Sequence, residues 1–139
     1  MSVRVIHGDS LTELARLEPG SVHAVVCDPP YGLADIPARK VTEAVAAWVS
    51  GDTEFVPAQG RGFRAARWDR FVPPPALWER CARLLPPGGH LLVFAGARTQ
   101  DLMGLSLRLA GLELRDAIGW AYGGGMLRER ANQNLLSLD

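Results

Sequence analysis

The sequence predicts an α/β chain: a mainly parallel sheet with flanking helices. Three observations carry this. The runs His23-Ala24-Val25-Val26-Cys27 and Leu91-Leu92-Val93-Phe94 are short, apolar and bounded by turn residues, as core strands are. Stretches of helical periodicity lie between them and after them. The two patterns alternate as β-α-β-(α, loop, α)-β-α-β, the order of strands joined by crossovers.

Val3-Arg4-Val5-Ile6 reads as the first strand. Ser10 stands as N-cap of a helix through Leu17, with Leu11, Leu14, Ala15 and Leu17 as its apolar stripe and Glu13 placed for a capping box. Pro19-Gly20 ends it, and residues 23 to 27 complete a βαβ unit. Arg39 to Val49 can be helical, with Val41, Ala44, Val45 and Trp48 on one face. Gly51 to Arg70 reads as a loop with three glycines, one proline and arginines at 61, 64, 67 and 70. Pro73-Pro74-Pro75 leads into a helix from about Ala76 to Leu85, since proline is tolerated in a first turn. Pro86-Pro87-Gly88-Gly89 stops it. Leu91 to Phe94 is continuously apolar, so burial on both faces is expected. Thr99 to Ala110 reads as a helix with Gly111 at C′, and Leu112 to Tyr122 as a last strand.

The chain has 139 residues, the size of one domain. Its 47% hydrophobic content is ample for a core, and 22% charged residues suit a soluble surface. Fifteen basic and fifteen acidic residues cancel, so bulk charge selects no partner. Cys27 and Cys81 fall in a strand and a helix, which fits core thiols of a reducing compartment better than a disulfide. No apolar run reaches membrane-span length and no signal-peptide core is present, so a cytoplasmic protein without membrane contact is expected.

Asp28-Pro29-Pro30-Tyr31 follows the second strand and precedes Gly32. It is a rigid polar loop at a strand's carboxyl end, where open α/β sheets bind ligands. Asp28 offers acceptor oxygens. Pro29 and Pro30 have fixed φ and no N–H, which leaves carbonyls available. Tyr31 supplies a flat face. Acceptors beside an aromatic plate suit a planar group with an exocyclic amine. A proline turn with Asp28 capping a local group is the plainer alternative.

With His7-Gly8-Asp9-Ser10 upstream, and Trp68-Asp69, Leu77 to Phe94, Gly96-Ala97-Arg98-Thr99 and Leu114 to Gly123 downstream, this loop resembles that of the amino-methylating, site-specific DNA methyltransferases common in phages and mobile elements. The resemblance spans roughly residues 3 to 125, with residues 32 to 70 as variable insert and 126 to 139 as tail. It implies a partial Rossmann-like methyltransferase fold and methyl transfer from S-adenosylmethionine to a DNA base, adenine N6 ahead of cytosine N4. RNA is a further alternative substrate.

By the same resemblance, Asp28 and the Pro29 carbonyl hold the target amine, with Pro30 in the catalytic loop. Tyr31 stacks on the flipped base; packing on the core is its alternative. Asp9, with Asp28, lies near the cofactor. Asp9 or Ser10 is also suited to capping the helix that follows, and the two roles are compatible. Arg61, Arg64 and Arg67 have two open readings, phosphate contacts or a solvated surface. Trp68 and Asp69 are expected to be structural, with Trp68 closing the core. Arg98 and Thr99 either line the site or start a helix with Thr99 as N-cap.

The glycine-rich Asp-Pro-Phe-x-Gly-x-Gly-like stretch that holds the cofactor's methionine part in such enzymes does not occur in this sequence. A truncated or split enzyme is therefore expected, with the loop on a second polypeptide and weak or no activity alone. A non-catalytic DNA-binding or docking remnant is the alternative.

Overall fold

The computed structural model describes residues 3–33, 36–58 and 67–119. They form a small α/β unit with two parallel strands and flanking helices. The order is α1 (Ser10–Ala15), β1 (Ala24–Cys27), α2 (Ala38–Val49), a 3-10 turn (Arg67–Asp69), α3 (Pro75–Leu84), β2 (His90–Val93) and α4 (Gln100–Leu109). The strands pair Ala24 with His90, Val25 with Leu91, Val26 with Leu92 and Cys27 with Val93. The ladder extends to a bond from the Phe94 N–H to the Cys27 carbonyl, 3.0 Å.

The α1 helix starts one residue earlier than the capping-box expectation. Asp9 is the N-cap, and its carboxylate accepts from the Thr12 amide at 3.1 Å. Glu13 then falls too late to close the box, and pairs instead with Arg16 at 2.6 Å. The C-terminal carbonyls of α1 are satisfied from α3: Arg83 donates to Leu14 (2.9 Å), Ala15 (3.3 Å) and Leu17 (2.8 Å).

The core gathers Ala44 and Trp48 of α2, Phe71 and Val72, Trp78, Cys81 and Leu84 of α3, and Leu102, Met103 and Leu107 of α4. Trp48 meets Phe71 edge-to-face at 6.0 Å and donates its indole N–H to the Phe55 carbonyl at 2.8 Å. Val25, Cys27, Leu91 and Val93 pack against this core from the sheet.

Three sequence expectations are corrected. Residues 3–6 form no strand; Val3 and Val5 lie about nine-tenths exposed. Residues 112–119 form none either, and 120–122 lie outside the described residues. An extended segment becomes a strand only where a neighbour takes its backbone bonds, and among the described residues neither segment has one. The strand at 91–94 is covered on one face only: Val26 is 67% exposed and Leu92 49%. Among the described residues, no helix is long and apolar enough to cross a membrane.

Candidate functional site

The loop after β1 is held at its backbone by residues distant in sequence. Asp69, 4% exposed, collects three consecutive amides. Its Oδ1 accepts from Tyr31 N at 2.7 Å and Gly32 N at 2.9 Å, and its Oδ2 accepts from Leu33 N at 3.3 Å. Successive N–H groups converging on one carboxylate form a nest. The carbonyl side is tied as well. Thr99 Oγ1 donates to the Tyr31 carbonyl at 2.5 Å, and the Arg98 guanidinium donates to the Leu33 carbonyl at 2.7 Å.

Gly32 makes this turn possible. Its φ is +66°, and a Cβ there would stand 3.1 Å from both Ile36 Cδ1 and the Phe71 Cα. Only glycine takes that conformation without strain while lying so near another backbone. Gly96 is similarly close, with Tyr31 Cβ and Thr99 Oγ1 each 3.4 Å from the position of a Cβ.

With the backbone fixed, the Asp28 carboxylate lies exposed at the carboxyl end of β1. Its Oδ1 accepts the Tyr31 hydroxyl hydrogen bond, which sets the phenol ring beside the carboxylate. Among the described residues Asp28 forms no ion pair. Pro29 and Pro30 are half-buried. The four residues named from sequence thus stand together, with acceptor and aromatic plate adjacent.

Other expected site residues fall elsewhere. Asp9 caps α1, a role weighed from sequence. Arg61 and Arg64 lie outside the described residues, as does the Arg67 side chain, although the Arg67 backbone opens the 3-10 turn. The Trp68-Asp69 expectation is corrected in one half: Trp68 is 73% exposed and closes no core, whereas Asp69 is buried. Thr99 occupies the N-cap position of α4, but its hydroxyl makes no cap bond and serves the loop instead. The signal that could have marked Asp69 was its place in the Trp-Asp pair; its partners, more than thirty residues away, were not readable.

A cleft of about 220 Å³ adjoins the loop, bordered by Gly32, Arg98, Thr99 and Asp101. A larger hollow of about 560 Å³ lies along the apolar face of α2, between Val41 and Ser50, and includes no loop residue. The smaller cleft, also lined by Ile36, Val41 and Leu102, is the one that adjoins the loop; the larger hollow is mainly apolar, with the Thr42 and Ser50 hydroxyls at its wall. Beneath the loop, burial first, then the Cys81 thiol and the Asp28 carboxylate, push the Cys27 thiol up to about 11. Both cysteines are free.

Comparison with protein families, curated proteins and solved structures found no match for this chain.

Proposed function

We propose that this chain holds the exocyclic amine of a DNA base, adenine N6 ahead of cytosine N4, for methyl transfer from S-adenosylmethionine. The observation that carries the reading is the exposed Asp28 carboxylate beside Tyr31, on a loop whose amides are occupied by Asp69. An acceptor that accelerates by positioning must itself be positioned, and the buried clasp does that. Asp28 would accept one amine hydrogen and the Pro29 carbonyl the other. Tyr31 would stack on the base. The finer fold that goes with this reading is a partial Rossmann-like methyltransferase domain.

The cleft beside the loop, about 220 Å³, is below the ~300 Å³ at which small-molecule sites begin, so this reading does not rest on it as the S-adenosylmethionine site. Asp9, the acid placed near the donor by resemblance, caps α1 through Oδ1 alone, which is compatible with that role. The chain's main part in this reading is to hold the amine. A second polypeptide bringing the glycine-rich loop would supply the donor's main surface.

Tritium transfer to unmethylated DNA tests this, with and without the product of a downstream frame encoding such a loop. Transfer is expected with both chains and lost in Asp28→Ala. Retained turnover in that variant removes the assigned role. Micromolar binding of S-adenosylmethionine to this chain alone, by calorimetry, would remove the need for a partner.

A second reading, a non-catalytic DNA-binding or docking remnant, is favoured by the open sheet. Two parallel strands with Val26 and Leu92 exposed are unusual, because parallel sheets are normally covered on both faces. Binding to DNA with no transfer under any pairing would decide for it.

A further inference from the structure

The exposed indole of Trp68 is unexplained by either the core or the loop clasp. Tryptophan is among the side chains least often left in water, and this one is 73% exposed. Its position is defined by its neighbour. Asp69 is buried and bonded to Tyr31 N at 2.7 Å, so side-chain reach and one peptide step put the Trp68 and Tyr31 Cα atoms within roughly 12 Å. Arg70, on the other side of Asp69, is also exposed. The chain therefore presents an exposed tryptophan and an exposed arginine on either side of one buried carboxylate, which anchors them to the loop that carries Tyr31.

We infer that Trp68 is a second base-stacking plate, binding the unpaired nucleotide next to the one at Tyr31. This rests on reading the loop as a nucleobase site, and names the surface that would hold the neighbouring strand. A flat aromatic face with a cation beside it is what single-stranded nucleic acid uses, since every base has a π-face and every linkage a phosphate. The Asp69 clasp limits how far apart the backbone positions of Trp68 and Tyr31 can stand. Arg70 meets phosphate, and its contribution is salt-dependent where that of Trp68 is not.

The test is fluorescence anisotropy of a short labelled single-stranded oligonucleotide, and of the same strand in duplex, with the full chain. Trp68→Ala is expected to weaken single-strand binding by about 5- to 100-fold. Trp68→Phe, which keeps a ring, is expected to stay within about threefold, since stacking tolerates the change of ring. The dependence of binding on salt between about 50 and 200 mM should be unchanged in Trp68→Ala and reduced by about one counterion in Arg70→Ala.

Wild-type binding that Trp68→Ala leaves intact overturns this inference and spares the function proposed for the loop. Absence of any wild-type binding at low salt also overturns the inference, whereas the proposed function stands or falls on the transfer assay with both chains. An Ala variant whose thermal midpoint falls by several degrees overturns the inference too, because it shows the indole to be structural. So does weakening equal in the Phe and Ala variants, which points to a protein-type contact surface in place of a stack.

Discussion

The carboxylate of Asp69 accepts the amide hydrogen of Tyr31 at 2.7 Å across a separation of 38 residues. It ties the 3-10 turn at Arg67–Asp69 to the loop after β1. Because the same oxygen also takes Gly32 N, this one side chain holds the backbone bend on which Asp28 and Tyr31 stand.

Removing it should be costly. Asp69→Ala leaves three amides without their acceptor, and Gly32 is buried. Orphaned amides cost ~1–3 kcal/mol each where water cannot reach, so a loss of about 2–4 kcal/mol is expected in urea unfolding. Asp69→Asn should recover much of the loss, since its amide oxygen can keep Tyr31 N and Gly32 N while its NH₂ faces only the more distant Leu33 N–H. Hydrogen exchange at Tyr31 and Gly32 should accelerate in Asp69→Ala and much less in Asp69→Asn; unchanged protection in the Ala variant would show that the clasp does not hold the loop.

Gly32→Ala should damage the same bend by a different route. The φ of +66° is disfavoured for alanine, and the new Cβ would stand 3.1 Å from the Phe71 Cα, which cannot swing aside. Gly20→Ala is the control, with φ +67° and nothing within 4 Å. Both pay ~1–2 kcal/mol for the left-handed conformation. The excess loss at Gly32, read from the difference in denaturation midpoints, measures the steric contact.

The two buried indoles should respond differently to truncation. Trp48 Nε1 donates to the Phe55 carbonyl at 2.8 Å, whereas Trp78 Nε1 is buried without a hydrogen-bond partner among the described residues. Both lose similar volume on replacement by Phe. Trp48→Phe also orphans a carbonyl, while Trp78→Phe removes an orphan. Trp78→Phe is expected to be cheaper by about 1–2 kcal/mol in denaturant unfolding. Equal losses would mean that the Trp78 N–H is satisfied in solution.

The thiol beneath the loop gives a pH dependence. Burial is the main cause that raises Cys27 from its ordinary 9.0 to about 11. The unfolded chain then releases this proton at lower pH than the folded chain. Stability should therefore fall as pH rises from about 9 to about 11, and level off beyond. Cys81 is raised too, by burial, and acts in the same direction. Cys27→Ala should flatten part of the slope. Alkylation of Cys27 by iodoacetamide near neutral pH should be slow compared with a free thiol, since the thiolate is the reacting form.

Much of the local structure was readable in the residues. Periodicity located α2, α3 and α4 to within a residue or so, because each carries an apolar stripe that one packed face explains. The β-branched run ending at Cys27 and the apolar run at 91–94 were legible as strands for the same reason. Segments 3–6 and 112–119 carry similar composition and are not strands. Composition states a preference for extended backbone, but pairing depends on a neighbour that the segment itself does not encode.

The amino-acid order alone determined that a proline-stiffened acid and an aromatic follow a core strand, and that a glycine comes next. Tertiary structure decided what those residues can do. It seated Asp69 under the loop amides, turned Thr99 and Arg98 onto the loop carbonyls, and left Trp68 in water. The physical reason is range: dihedral preference and side-chain period act over a few residues, whereas satisfying a buried amide requires whichever distant acceptor the packed chain brings within 3 Å.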